Sequence, residues 1–199
     1  MSMRKPASSK SIVIQKLVHT NKKKASKTKK DNKKIARTRR QRGYHWEDTI
    51  VKRFNGLKDW KAFRLGSPSV ALPDVLAIST KNSTIFTIEA KSGTGTTLQV
   101  PFDQIIRCLK WTDTFEIYNK RKVILAFKFL SKKRIDIGEY ESRELREFFK
   151  IWDKSLKITD CVCTYEGETY SLENRKRSKI TLEDYPMPFN SRHQIFSRA

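Results

Sequence analysis

Acidic residues are scarce in this chain. It carries 21 Asp and Glu against 43 Lys and Arg in 199 residues, a net charge of +22 at pH 7. Too few carboxylates remain to neutralise the surface internally. The balance calls for a polyanionic partner: nucleic acid, or in the competing reading an anionic membrane surface. Long apolar runs are also missing. No stretch of about 18 apolar residues occurs, which excludes an ordinary transmembrane helix. SIVIQKLV (Ser11–Val18) is short and interrupted by Lys16, so it does not form a secretory apolar region. Cysteine is sparse: Cys108, Cys161 and Cys163, an odd number with two of them one residue apart. That suits neither a disulfide framework nor a usual zinc spacing, and a reduced, intracellular protein is the simplest inference. No internal repeat is present.

What the chain does have is an ordinary apolar fraction and an uneven charge. Before Gly43 there are sixteen Lys and Arg and one acid, Asp31. The segment KKKASKTKKDNKKIARTRRQR (Lys22–Arg42) has almost nothing to bury, so residues 1–36 are expected to form a disordered basic arm. Phosphate contacts through counterion release are one use for it. A basic, acid-poor start is also the composition of an organellar transit peptide. Residues 37–155 are expected to form the main domain, and 156–199 a hairpin with a basic extension.

In YHWEDTIVKRF (Tyr44–Phe54), Trp46, Ile50, Val51 and Phe54 recur at three- and four-residue steps and predict an amphipathic helix, with Glu47 bordering the apolar stripe. DWKAFRL (Asp59–Leu65) reads as a strand, and so do two runs within LPDVLAISTKNSTIFTIEAKS (Leu72–Ser92). VPFDQIIRCLKWTDTF (Val100–Phe115) places Phe102, Ile105, Ile106 and Leu109 on one helical face. VILAFKFL (Val123–Leu130) is a strand apolar on both sides, hence internal to a sheet. SRELREFFKIW (Ser142–Trp152) is expected to be a further amphipathic helix with Ser142 as N-cap, and Phe148, Phe149 and Trp152 serve either its core or an interface. DCVCTYEGETYSL (Asp160–Leu172) predicts a hairpin turning at Glu166-Gly167. The order implies a mixed α/β domain.

The stretch Leu72–Ser92 raises a physical question, because charges sit beside apolar strands. Side chains two apart on a strand share a face, so Glu89 and Lys91 are neighbours at roughly 7 Å. A turn centred between Lys81 and Asn82 sets Asp74 opposite Glu89. A turn centred one residue later sets it opposite Lys91. Either register brings Asp74 to the charged end of the second strand. Two carboxylates that close repel unless a cation lies between them. Lys91 supplies part of that cation, and a hard divalent ion, Mg²⁺ or Mn²⁺, would supply more. An acid pair, a lysine and such an ion suit phosphodiester hydrolysis. Taken alone, PD followed by E-x-K is a common pattern. The register, the apolar flanks and the basic chain are what select it.

Pro73-Asp74 and Glu89-Ala90-Lys91 resemble the PD-(D/E)XK nuclease superfamily, and within it the archaeal Holliday junction resolvases. The likeness extends to the basic-Gly step Arg42-Gly43 with Glu47, to Arg64 before Gly66-Ser67, to PDVLAI and TIEAKS, and to Gln104 in VPFDQ. It covers about Arg42 to Leu130. The resemblance implies a restriction-endonuclease-like fold, a mixed β-sheet core flanked by helices. It implies Glu47, Asp74 and Glu89 as metal-binding acids, with the Ala90 carbonyl as a backbone ligand. Lys91 would orient water and stabilise phosphate charge, Ser67 would touch the scissile phosphate region, and Gln104 would position water or backbone.

By the same resemblance the protein would be a homodimeric, Mg²⁺-dependent endonuclease (Mn²⁺ as alternative) that nicks four-way DNA junctions. Arg37, Arg39, Arg40, Arg42, Arg64 and Ser67 would contact DNA. No membrane or small-molecule cofactor is expected, and the cytoplasm, in association with the nucleoid, is the expected location. Two other readings stay open: a repair or restriction-type nuclease of the same superfamily, and a non-catalytic basic nucleic-acid binder.

Overall fold

The computed structural model describes residues 33, 35–38, 40–65, 71–136 and 139–190. The chain divides into two units, 1–41 and 42–199. In the first, residues 33, 35–38, 40 and 41 are helical. The rest of the basic arm expected over 1–36 lies outside the described residues.

The second unit is built on a five-stranded sheet in the order β1-β2-β3-β5-β8. Its strands are β1 (Lys61–Arg64), β2 (Val75–Ser79), β3 (Thr84–Gly93), β5 (Lys120–Phe129) and β8 (Arg146–Ile151). β3 and β5 are parallel; the other neighbours are antiparallel. Helix α1 (residues 42–55 of this unit) covers one face, where Trp46, Ile50 and Phe54 meet Ile88, Ala90, Ala126 and Phe149. The Trp46 indole N–H donates to the Ala126 carbonyl at 3.2 Å, and Asn55 ends the helix with two hydrogen bonds to the Ala62 backbone. Helix α2 (Phe102–Thr114) covers the other face.

A second, four-stranded sheet packs beside α2. It consists of β4 (Thr97–Val100), β9 (Asp160–Thr164), β10 (Thr169–Glu173) and β11 (Lys176–Ile180), in the order β11-β10-β9-β4. Val100, Cys161 and Cys163 join Ile105, Cys108, Leu125 and Phe127 in a common core. A two-stranded ribbon, β6 (Lys132–Asp136) with β7 (Glu139–Ser142), completes the strands. Met187 and Phe189, near the end of the described chain, are buried against α1 and the large sheet. Among the described residues no helix is long and apolar enough to cross a membrane, and the three cysteines are free and buried.

Two expectations need correction. SRELREFFKIW is not a helix: Ser142 ends β7 and Arg146–Ile151 is β8. The letters satisfy both periods, and the surroundings decide. β5 needs a partner on its open side, and β8 supplies it while packing both faces. Phe149 and Ile151 enter the α1 core; Phe148 and Trp152 enter the α2 core. A strand between two cores is apolar on both sides, which over six residues cannot be told from a helix by spacing. All three aromatic residues serve the cores.

The stripe of α2 also differs. Ile105, Cys108 and Thr112 are buried, Leu109 is partly so, and Phe102 is 53% exposed. Thr112 is tolerated inside because its hydroxyl bonds the Cys108 carbonyl and the Thr87 hydroxyl. β4, β6, β7 and β11 were not expected. The predicted hairpin is β9–β10, with Gly167 in the turn at φ +83°.

Candidate active site

Of the two hairpin registers, the observed one pairs Val75 with Ile88 and Ser79 with Thr84, so the same count sets Asp74 opposite Glu89. The loop is Thr80–Ser83, centred between Lys81 and Asn82, with Ser83 at φ 44°. Asp74, just before β2, is anchored by Oδ2, which accepts a hydrogen bond from the Ala90 amide at 2.9 Å. The hairpin geometry alone thus brings an acid from one strand onto the backbone between Glu89 and Lys91.

The alternation of β3 separates its charges from its apolar residues. Phe86, Ile88 and Ala90 face α1. Thr87 faces α2, where its hydroxyl bonds the Cys108 carbonyl at 3.1 Å. Glu89, two residues on, shares that face and is fully buried. An unpaired buried carboxylate would be expensive, and this one is paired on both oxygens. Lys91 Nζ donates to Oε1 at 2.6 Å and Arg107, from α2, donates to Oε2 at 3.1 Å. Burial raises the Glu89 pKa, Lys91 pulls it down, and Asp74 pushes it up again. The Cys108 thiol below is pushed well up by burial and by the Glu89 and Asp74 charges, so it is an inert core group.

Glu47 comes from the other side. Trp46 and Ile50 fix the orientation of α1, and the residue after Trp46 lands at the rim of the sheet, 7% exposed. Its pKa is raised to about 7, first by burial and then by the Asp74 charge, with Arg64 and Lys91 acting the other way. Glu47 Oε2 is buried and has no hydrogen-bond partner; the Arg64 guanidinium stands 3.9 Å away. Arg64 is engaged instead with Asp48 at 3.3 Å and stacks over the Tyr44 ring at 4.9 Å.

Glu47, Asp74, Glu89 and Lys91 therefore lie within electrostatic reach of one another. They do not form a ready cage. Among the described residues no group of three His, Cys, Asp or Glu side chains is gathered to hold a metal ion. Glu89 is taken up by its two cations, whereas Glu47 Oε2 accepts no hydrogen bond, has the Arg64 guanidinium only at 3.9 Å, and is coupled to Asp74. That donor set, all oxygen and short of positive charge, fits a hard divalent cation on the Glu47–Asp74 side.

The remaining predicted residues are placed less closely. Gln104 is on the first turn of α2 with Oε1 buried and without a hydrogen-bond partner. The Arg42 carbonyl accepts a hydrogen bond from the Ser92 hydroxyl at 3.2 Å. Arg37 and Arg40 are exposed in the first unit. Ser67 and Arg39 lie outside the described residues. Sequence reasoning missed Arg107, although the signal was present: it follows Gln104 by three residues and so shares its helix face. It also missed Asp160, which substitutes for a local cap. Pro101 provides no side-chain cap to α2, and Asp160 Oδ1 accepts from the Phe102 amide at 2.8 Å.

The family model "Archaeal holliday junction resolvase (hjc)" matches residues 38–168. The chain belongs to the archaeal Holliday junction resolvase family. The matched span runs from α1 to the β9–β10 turn and contains every acid of the site. Among solved structures the resolvase is similar to Hjc, a Holliday junction resolvase of the archaeal hyperthermophile Archaeoglobus fulgidus. That similarity has a TM-score of 0.41 and 14% identity, over 63% of this chain and 85% of that one. Comparison with the curated proteins gives no match.

Proposed function

We propose that this resolvase cuts branched DNA, four-way junctions above all, by metal-dependent phosphodiester hydrolysis. The observation that carries the proposal is the buried Glu47 oxygen that accepts no hydrogen bond beside Asp74, in a family whose members resolve junctions. Glu47 and Asp74 would hold Mg²⁺ or Mn²⁺, with Glu89 and the Ala90 carbonyl completing the set if Glu89 exchanges part of its present pairing. Such an ion, when bound, lowers the pKa of water and neutralises phosphate charge.

The protein's own groups do the rest. The Asp74 bond to the Ala90 amide fixes the spacing of the two strands that carry the acids. Lys91, its side chain 24% exposed, can turn a donor toward a phosphate oxygen from its ion pair with Glu89. Arg107 prevents Glu89 from following Lys91 toward solvent. Gln104 Oε1 offers an acceptor for water at the first turn of α2. Ser67 and the arginines at 37, 39, 40, 42 and 64 would bear on the DNA backbone. Two copies of the chain, one per strand of the junction, would make paired nicks.

The test is cleavage of four-way junction and linear duplex DNA with Mg²⁺, wild type beside Asp74→Asn. Junction cleavage lost in the variant is the expected result. Preference for flaps or for a linear site would replace the junction by another DNA substrate, and binding without turnover in either metal would overturn hydrolysis altogether.

A further inference from the structure

The family match ends at residue 168, and the chain then builds a β-ribbon that the match does not contain. β10 and β11 pair from Thr169 with Ile180 to Glu173 with Lys176, which leaves Asn174 and Arg175 as a two-residue turn. Both have left-handed backbone, φ 49° and 64°. A turn of this kind suits Asn followed by Gly, because a Cβ in the left-handed region costs roughly 1 kcal/mol or more. Asn174 obeys the rule. Arg175 breaks it, and puts a guanidinium at the tip where the backbone alone would favour glycine.

The cation at the tip is one of a set. Residues 173–179 are all exposed, and Arg175, Lys176, Arg177 and Lys179 face a single acid, Glu173. That acid is bound by Lys157, and Lys179 is bound by Glu168. Among the described residues Arg175, Lys176 and Arg177 make no ion pair, although Glu173 stands directly opposite Lys176 in the register. A solvated strand gains nothing from a strained arginine at its tip. Strain kept at an exposed position points to a ligand.

The sheet places this ribbon. Asp160 pairs with Leu172, and Leu172 pairs with Arg177, so the three residues form one row across neighbouring strands. Val100, the last residue of β4, stands at the same end opposite Cys161, and α2 begins two residues later. Asp160 ties the row to the α2 N-terminus through the Phe102 amide at 2.8 Å. Five residues further along α2 is Arg107, which holds Glu89. The ribbon tip therefore projects from the end of the second sheet that abuts the helix entering the active site.

We infer that the β10–β11 ribbon is a DNA-backbone contact added to the family fold, with Arg175, Lys176 and Arg177 gripping the phosphates of a duplex arm outside the cleavage point. The inference rests on the proposed action on DNA for its partner, but it concerns binding and not cleavage. Phosphate contacts appear as counterion release: each one contributes about 0.9 to the slope of log K against log salt on duplex DNA.

The test measures that slope in EDTA, on linear duplex and on four-way junction DNA, for wild type and two variants. Arg175→Gln/Lys176→Gln/Arg177→Gln should flatten the slope by about 2.7, and Arg175→Gly by about 0.9. Glycine removes the left-handed strain, so Arg175→Gly should melt no lower than wild type while binding DNA more weakly. A control, Lys52→Gln/Lys58→Gln/Lys110→Gln, removes three exposed lysines elsewhere and should change the slope by less than half as much. Slopes unchanged by both ribbon variants, or an equal change from the control, would overturn the ribbon's role. Loss of junction cleavage preference in the wild type would bear on the proposed reaction alone, since the slope is read without metal.

Discussion

Arg107 Nη2 donates to Glu89 Oε2 at 3.1 Å, joining the helix on one side of the sheet to the strand that carries the acid–lysine pair. The guanidinium side chain is 10% exposed and the carboxylate is wholly buried. Removing the arginine would leave Glu89 with Lys91 alone. Arg107→Ala is expected to cost about 3 kcal/mol, the usual penalty for stranding one member of a buried pair. Chemical denaturation measures it. Arg107→Ala combined with Glu89→Gln should recover part of that loss, because the neutral amide no longer requires a cation. A double variant less stable than Arg107→Ala would show that the guanidinium is held for packing and not for charge.

Glu47 gives the metal-free protein a pH dependence. Its pKa in the folded state is about 7 against an ordinary 4.5, through burial first and the Asp74 charge second. The carboxyl thus binds its proton more tightly in the fold than in the open chain. Its stabilising contribution is complete below about pH 4.5 and is lost as pH rises through 7, by ~2 kcal/mol after allowance for solvent screening. In EDTA, melting temperature should fall between pH 5 and 8, and Glu47→Gln should reduce the fall. Glu89 acts in the same direction, so some slope should remain. A variant with the wild-type slope would place the titration elsewhere.

Lys91 is the donor that reaches solvent from within the acid cluster. Lys91→Ala is expected to lower kcat on junction DNA by about 10²–10³-fold, the scale seen when a donor to developing negative charge is removed. DNA affinity should change only a few-fold, because one phosphate contact among many is lost. Single-turnover cleavage with the enzyme in excess separates the two quantities. A loss confined to affinity would reduce Lys91 to a binding residue.

Gly167 tests how the second sheet meets the first. It has φ +83°, and a Cβ there would lie 2.6 Å from Cε1 of Phe148. Gly167→Ala should therefore destabilise by well over the ~1 kcal/mol expected from backbone strain alone. The extra cost exists only because β8 is extended and turns Phe148 toward the turn. Urea denaturation of the variant measures it, and a change within 0.5 kcal/mol, typical of a neutral surface site, would mean that Phe148 does not press on the turn.

The same contact shows where sequence reading stops. Trp46, Ile50 and Phe54 declared α1 by spacing, and one short turn narrowed the partner of Asp74 to Glu89 or Lys91, because both depend on neighbours in the chain; the fold selects Glu89. β8 depended on an unpaired edge of β5, from Phe129 opposite Arg146 to Ile124 opposite Ile151, and on a core waiting on each side. Its letters alone fit either period. Arg107 was legible as a helix-face partner of Gln104, but its bond to Glu89 required knowing that α2 lies across β3. Phe102 was misplaced for a similar reason: β4 and β9 set the rotation of α2 through Asp160, and nothing in the helix itself records that.

The Glu47 oxygen that accepts no hydrogen bond yields the last prediction, which concerns the ion directly. A ligand that binds only the folded state stabilises it by RT ln(1 + [L]/Kd), about 2.7 kcal/mol at a hundredfold excess over Kd. Mn²⁺ or Mg²⁺ should therefore raise the melting temperature of the wild type. The rise should be larger at pH 8 than at pH 6, since the ion competes with the Glu47 proton. Asp74→Asn should abolish most of it, and Glu47→Gln should remove its pH dependence in particular. Calorimetric titration in two buffers of different ionisation enthalpy would count the proton released. If saturating Mn²⁺ leaves the melting temperature unchanged at both pH values, the pair of acids does not bind the ion in free protein, and DNA phosphate must be present to complete the site.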